Sequence, residues 1–143
     1  MKLVSHSEKE TQRVAVDFSK TLKGGETIGL IGDLGAGKTA FVKGMAKGLG
    51  IKKVITSPTF VVMKIYPVKH QTIKYFVHVD AYRVKNAASL TGIGLEDYIK
   101  SNDSVVVIEW ADLVKDVIPR KKILIHFNHI ANNQREIFFI EKK

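Results

Sequence analysis

The octapeptide Gly32-Asp33-Leu34-Gly35-Ala36-Gly37-Lys38-Thr39 constrains this chain more than any other stretch. Its spacing is GxxxxGK[ST], in which glycines let the backbone turn tightly and bring successive N–H groups onto phosphate oxygens. The lysine adds a mobile positive charge, and the hydroxyl beside it is placed to ligate Mg²⁺. Such a loop works between a strand and a helix, because the helix start contributes unpaired N–H groups and the positive end of its dipole. Both flanks read that way. Glu26 to Ile31 is a short apolar run ending in Gly32, which suits a buried strand. Lys38 to Leu49 repeats apolar residues at Phe41, Val42, Met45, Ala46 and Leu49, with Gly50 as its stop.

The rest of the chain supplies the frame for such a loop. Ser7 and Glu10 have capping-box spacing, and Thr11, Val14, Ala15, Phe18 and Leu22 follow at helical intervals, so a first helix is expected near 8–22. Thr59 to Tyr66 and Ile73 to Asp80 are rich in β-formers and read as a hairpin across Pro67 to Thr72. Ala87 to Lys100 is weakly helical and interrupted by Gly92 and Gly94. Ser104 to Trp110 is a continuous apolar strand, and Ile123 to Phe127 and Arg135 to Ile140 form a last pair, joined by a polar, Asn-rich connection. This order predicts an α/β fold of the three-layer P-loop NTPase kind, with a parallel central sheet and antiparallel edge strands. The 143 residues fit one domain, 1–143.

A phosphate loop of this kind needs an acid on the metal side. Val105-Val106-Val107-Ile108-Glu109 has four apolar residues followed by a carboxylate at the C-terminal end of a strand, where ligands of parallel sheets bind. Glu109 is therefore the candidate to hold Mg²⁺, directly or through water, although most such proteins use Asp there. His78-Val79-Asp80 ends another strand, and alternation places His78 and Asp80 on one face. Asp80 either orients an attacking water, ligates the metal's outer shell, or closes the strand as a turn residue. Thr56-Ser57-Pro58-Thr59 is either a γ-phosphate-sensing segment or an ordinary turn. Trp110 by itself reads as buried core. His126 and His129, three apart with no third ligand near in sequence, read as surface residues. Arg83 is either a charge-stabilising arginine or a surface one. There is no Asn-Lys-x-Asp sequence of the kind guanine-specific proteins use, which favours ATP.

With no cysteine, the chain has no disulfide, thiolate chemistry or Cys-ligated zinc. No segment approaches the about 20 apolar residues of a membrane span, and no signal-peptide run opens the chain, so a cytosolic location without membrane contact is expected. The net charge of +9, mostly lysine, favours polyanions or acidic protein faces. Lysines spread along the whole sequence serve solubility equally well, so contact with tRNA is permitted but not located.

Five segments in order resemble one family: GDLGAGKTAFVKG (32–44), SPTFVVMKIY (57–66), HVDAYRV (78–84), GLEDYI (94–99) and IEWAD (108–112). The chain is similar to the TsaE family, formerly YjeE, the small bacterial P-loop ATPases of tRNA threonylcarbamoyladenosine biosynthesis. The resemblance implies Mg-ATP binding and slow hydrolysis, raised by two partners: a threonylcarbamoyl transferase subunit and its paralogous dimerisation subunit. It implies that the ATPase resets the complex that modifies the adenosine beside the tRNA anticodon and does not itself make the carbamoyl bond. Carried over by position, Lys38, Asp80 and Glu109 are the catalytic set. Gly35, Ala36, Gly37, Lys38, Thr39, Ala40 and Asp80 meet the nucleotide, with Glu8 and Arg135 on its base side. Thr39 and Glu109 are the metal residues, and Thr59 and Trp110 match switch-like positions. Ala81 departs from the family's usual Leu, and Ala-Asp after Trp110 departs from a frequent Pro or Ser followed by an acid or amide.

Two other readings compete. A small-molecule kinase needs a lid with several arginines, whereas the four here, Arg13, Arg83, Arg120 and Arg135, are dispersed. A binding module would use ATP as a switch ligand without meaningful turnover.

Overall fold

A computed structural model of the chain describes residues 1–33, 35–55, 63–82, 90 and 92–142. One seven-stranded sheet runs through them, in the order β1-β7-β6-β2-β5-β4-β3. The strands are β1 (Lys2–Ser5), β2 (Thr27–Gly32), β3 (Met63–Pro67), β4 (Tyr75–Asp80), β5 (Ser104–Glu109), β6 (Lys122–Ala131) and β7 (Gln134–Lys142). The four central strands β6, β2, β5 and β4 are mutually parallel, while β3, β7 and β1 add antiparallel margins. The fold is thus the mixed α/β arrangement expected from the sequence. The segment Thr56 to Thr59 and residue Arg83 lie outside the described residues, as does the predicted first part of β3.

Burial on both faces explains the continuous apolar run of β5, every residue of which is buried. Val105 and Val107 join one core with Phe41, Met45 and Phe127, while Val106 and Ile108 join a second with Val79, Leu95 and Val114. The first core lies under helices α1 (Glu8–Ser19) and α2 (Lys38–Gly48); the second lies under α3 (Leu95–Lys100) and a 3₁₀ turn at Ala111–Val114. Full burial of the three phenylalanines Phe41, Phe76 and Phe127 contributes about 2–3 kcal/mol each. Among the described residues no helix is long and apolar enough to cross a membrane.

Helix α1 begins as its residue types suggest, with a modification. The Ser7 hydroxyl accepts the Glu10 N–H at 3.0 Å, but the Glu10 carboxylate reaches past Ser7 to the His6 N–H at 2.6 Å. The helix ends at Ser19, earlier than Leu22. Strand β1 was not legible: its four residues pair only at the sheet margin and show no clean alternation. The β6–β7 hairpin also runs farther than the apolar pattern shows. Its arms pair as far as Ala131 and Gln134, and Asn128 to Ala131 are exposed. The turn includes Asn133 at φ 60°, a conformation Asn tolerates. His129 is exposed as expected, whereas His126 is half-buried.

Gly44 sets the distance between α1 and α2. A Cβ there would stand 2.4 Å from the Gln12 carbonyl oxygen and 2.6 Å from the Ala15 Cβ. In an ordinary helix interior, Gly→Ala stabilises by about 1 kcal/mol. Here the backbone contact reverses the sign, because separating two packed helices costs about 1–3 kcal/mol. Gly44→Ala is expected to lower the melting temperature by about 3–10 °C in a thermal scan; an unchanged or higher value would contradict the close packing.

Candidate functional site

The strand ends and one helix start meet at a single cleft of about 400 Å³. It is lined by Glu8, Gly35, Gly37, Lys38, Thr39, Ala40, Lys43, Asp80, Tyr82, Glu109, Trp110 and Arg135. Register explains the meeting. Asp80 and Glu109, the last residues of β4 and β5, are directly paired, and Leu30 of β2 pairs with Glu109 on the other side. By the two-residue alternation, Asp80 and Glu109 face the same layer as Phe76, Val105 and Val107, the layer of α2. The chain leaving β2 turns back into α2 at this edge, so the first turn of α2 lands on the carboxylates.

The turn has the features an anion needs. Gly35 and Gly37 have φ of 77° and 105°, where side chains other than glycine are strained. Gly37 is also the N-cap of α2, and no side chain caps the helix. Its first-turn N–H groups are therefore left for a ligand. Ala36 is different: it does not line the cleft, its side chain is buried in the first core, and its N–H donates to the Asp33 carbonyl at 3.1 Å.

Lys38 is 5% exposed, so its ammonium must be satisfied inside the protein. It donates to the carbonyls of Gly32 and Asp33, and it lies 4.1 Å from the Trp110 ring centroid, a cation–π contact. Burial holds its pKa below the ordinary lysine value, opposed by the charges of Glu109, Asp33, Asp80 and Asp112. Trp110 is not the buried core residue its type suggests. It stands half-buried on the cleft wall, at φ 59°, with the Tyr82 ring 4.9 Å away.

Glu109 is buried, and both of its oxygens are engaged. The Thr39 hydroxyl donates to Oε1 at 3.1 Å, and His78 Nε2 lies 2.6 Å from Oε2. An ionised carboxylate only accepts, which makes Nε2 the protonated nitrogen of His78. His78 is fully buried, and its Nδ1 has no partner among the described residues. Asp80 is half-buried and accepts the Tyr82 N–H at 3.0 Å. Burial raises its pKa; the Tyr82 hydrogen bond acts against this, and the neighbouring Glu109 charge adds to it.

Arg135 arrives from the other side. A Cβ on Gly37 would stand 2.9 Å from its Cδ, so the guanidinium stem lies across the glycine loop. Its Nε is buried with no partner among the described residues. Glu8 reaches the cleft from the first turn of α1.

Of the sequence-derived candidates, Glu8, Gly35, Gly37, Lys38, Thr39, Ala40, Asp80, Glu109, Trp110 and Arg135 thus share one cleft. Ala36 stands behind it, and Thr59 lies outside the described residues. The sequence reading missed Lys43 and Tyr82, and left His78 without a role. Lys43 is one helical turn beyond Thr39, a spacing that places it on the same face. Among the described residues, no three His, Asp or Glu side chains form a metal cage. The Thr39–Glu109 pair suits a Mg²⁺ ion, which keeps waters and takes most of its ligands from phosphates.

Comparison with known proteins gives the same picture. The family description "Threonylcarbamoyl adenosine biosynthesis protein TsaE" matches residues 5–137. The chain is 35% identical to the tRNA threonylcarbamoyladenosine biosynthesis protein TsaE of Bacillus subtilis, over 91% of this chain and 78% of the relative. It is 36% identical to the protein of the same name from Treponema pallidum, over 96% and 98% of the two chains. The crystal structure of Bacillus subtilis YdiB superposes with a TM-score of 0.81 at 30% identity, covering 100% of this chain and 86% of that one. A match across nearly the whole chain, together with this fold and loop, places the protein in the TsaE family of tRNA threonylcarbamoyladenosine biosynthesis proteins.

Proposed function

We propose that the chain is a Mg²⁺-dependent ATPase that supports tRNA threonylcarbamoyladenosine formation by acting on the transferase complex. The observation that carries this reading is the convergence of Thr39, Glu109 and Asp80 beside the uncapped start of α2, with Lys38 alongside.

In this reading the backbone N–H groups of Gly35 and of Gly37 to Ala40 bind the phosphates, and the Lys38 ammonium leaves its loop carbonyls for the β- and γ-phosphate oxygens. Thr39 and Glu109 would hold Mg²⁺, which would supply charge neutralisation to the phosphates. His78 keeps the Glu109 carboxylate facing Thr39. Asp80, beside Glu109, orients the attacking water. The chemistry is positioning and charge stabilisation, which is most of what phosphoryl transfer asks of a protein. Glu8 and Arg135 border the base side, and Trp110 follows the state of Lys38. The partners are a threonylcarbamoyl transferase subunit and its paralogous dimerisation subunit, whose docking raises a low intrinsic turnover.

Lys38→Ala is expected to weaken ATP binding at least tenfold by isothermal titration, since a buried cation facing phosphate contributes upward of about 1.4 kcal/mol. Glu109→Gln and Asp80→Asn are expected to keep nucleotide affinity to within several-fold of the parent and to lose about 10²-fold or more in phosphate release. Normal turnover in either acidic variant would remove that residue from the catalytic set. Phosphate release with and without the two transferase proteins and tRNA tests the role itself. Strong stimulation, absent in Glu109→Gln, is the expected result; tight ATP binding with no stimulated turnover would make the protein a nucleotide switch.

A further inference from the structure

The lysines that look scattered along the sequence converge in space. Strand β2 runs toward the cleft, and α2 runs back, so the last residues of α2 lie at the opposite edge of the sheet. Pro67, the last residue of β3, pairs with Tyr75, the first of β4, so the turn between them lies at that same edge. Residues Gly50 to Lys53 together with Tyr66, Pro67 and Lys69 enclose a depression of about 300 Å³ there, with no acidic residue in its lining. Lys47, Lys52, Lys53, Lys69 and His70 are exposed around it.

These lysines are uncompensated. None of the four makes an ion pair with a described residue. Of the carboxylates at this end, Glu26 accepts the N–H groups of Lys23 and Gly24, Asp103 lies 3.8 Å from Lys74 and accepts from Ser101, and Glu141 stands with Glu26 at a separate depression. At the nucleotide edge charges of both signs meet, with Glu8, Asp33, Asp80, Glu109 and Asp112 gathered around Lys38 and with Lys43 and Arg135 beside them. The face around Lys52, Lys53 and Lys69 is thus basic, with no carboxylate in its lining to offset it.

We infer that the Lys47–Lys53 and Lys69–His70 face docks the phosphate backbone of folded RNA, the tRNA on which this family's pathway acts. Four unpaired ammonium groups on two adjacent turns give a positive surface without side chains arranged to read bases. That suits A-form RNA, which is recognised largely by shape and by its phosphates and 2′-hydroxyls. Lysine, a hydrated point charge on a flexible stem, fits contacts that position without specifying sequence. ATP and RNA then occupy opposite edges of one sheet, so both bind together. The inference rests on the family's tRNA pathway and is independent of the catalytic assignments.

The test compares two charge-matched triple variants of the full chain, Lys52→Glu/Lys53→Glu/Lys69→Glu and Lys9→Glu/Arg13→Glu/Lys115→Glu, all at exposed positions. The probe is an unmodified tRNA transcript, with affinity read by fluorescence anisotropy at several salt concentrations. The first variant is expected to bind at least tenfold more weakly at about 100 mM salt, with the slope of log K against log salt reduced by about 2. The second is expected to lose less than about threefold, and both to bind ATP as the parent does, which verifies folding. Equal losses in the two variants would overturn the inference, as would a parent chain that fails to bind the transcript. So would a first variant that binds RNA normally but no longer binds the transferase proteins, which would make this face a site for an acidic protein surface.

Discussion

The Glu109 carboxylate is the interaction on which the site depends. One oxygen takes the Thr39 hydroxyl and the other meets His78 Nε2 at 2.6 Å, so three elements, α2, β5 and β4, are tied at one buried group. A buried carboxylate costs several kcal/mol unless its acceptors are filled. His78 and Thr39 fill them, and in doing so fix the rotamer of Glu109. The same hydroxyl that holds the carboxylate is the one a P-loop offers to Mg²⁺. The site is thus organised by its own hydrogen bonds, and a metal needs only to enter between groups already aligned.

This arrangement follows from sheet register more than from the loop. Parallel pairing of β4 with β5 puts Asp80 beside Glu109, and their shared parity turns both toward α2. A slip of one residue in either strand would send a carboxylate into the second core, among Val79, Ile108 and Ala111. Such a slip is resisted because both faces of β4 and β5 are packed and because it would carry the buried His78 away from Glu109. Ala81, where the family usually has Leu, is itself fully buried in that second core, and its N–H donates to the Glu109 carbonyl at 3.0 Å. The departure therefore alters packing behind the site and leaves the carboxylates in place.

The parts legible in the sequence are those with a short-range cause. The GxxxxGK[ST] spacing, the four apolar residues before Glu109 and the helical recurrence after Lys38 each encode a local structure, and each is where the spacing puts it. Alternation alone placed His78 and Asp80 on one face. The rest needed three-dimensional neighbours. Trp110 reads as core by residue type, yet a left-handed backbone turn after β5 swings it onto Lys38. The edge strand β1 exists through its partner β7, and the arms of the β6–β7 hairpin extend through polar residues that no apolar pattern marks. The basic face is invisible in one dimension, because Lys47, Lys52, Lys53 and Lys69 return to one edge only after α2 and the β3–β4 turn have folded.

Trp110 is the only tryptophan and stands 4.1 Å from the Lys38 ammonium, so its emission reports on the phosphate loop directly. The most direct test is an ATP titration followed by this emission, with and without Mg²⁺, in the parent chain and in Glu109→Gln. The account predicts that ATP changes the emission of both, and that Mg²⁺ tightens binding to the parent several-fold while leaving the variant nearly unaffected. The same Mg²⁺ response in both chains, or no change of emission on adding ATP, would contradict a metal-bearing phosphate site built on Glu109.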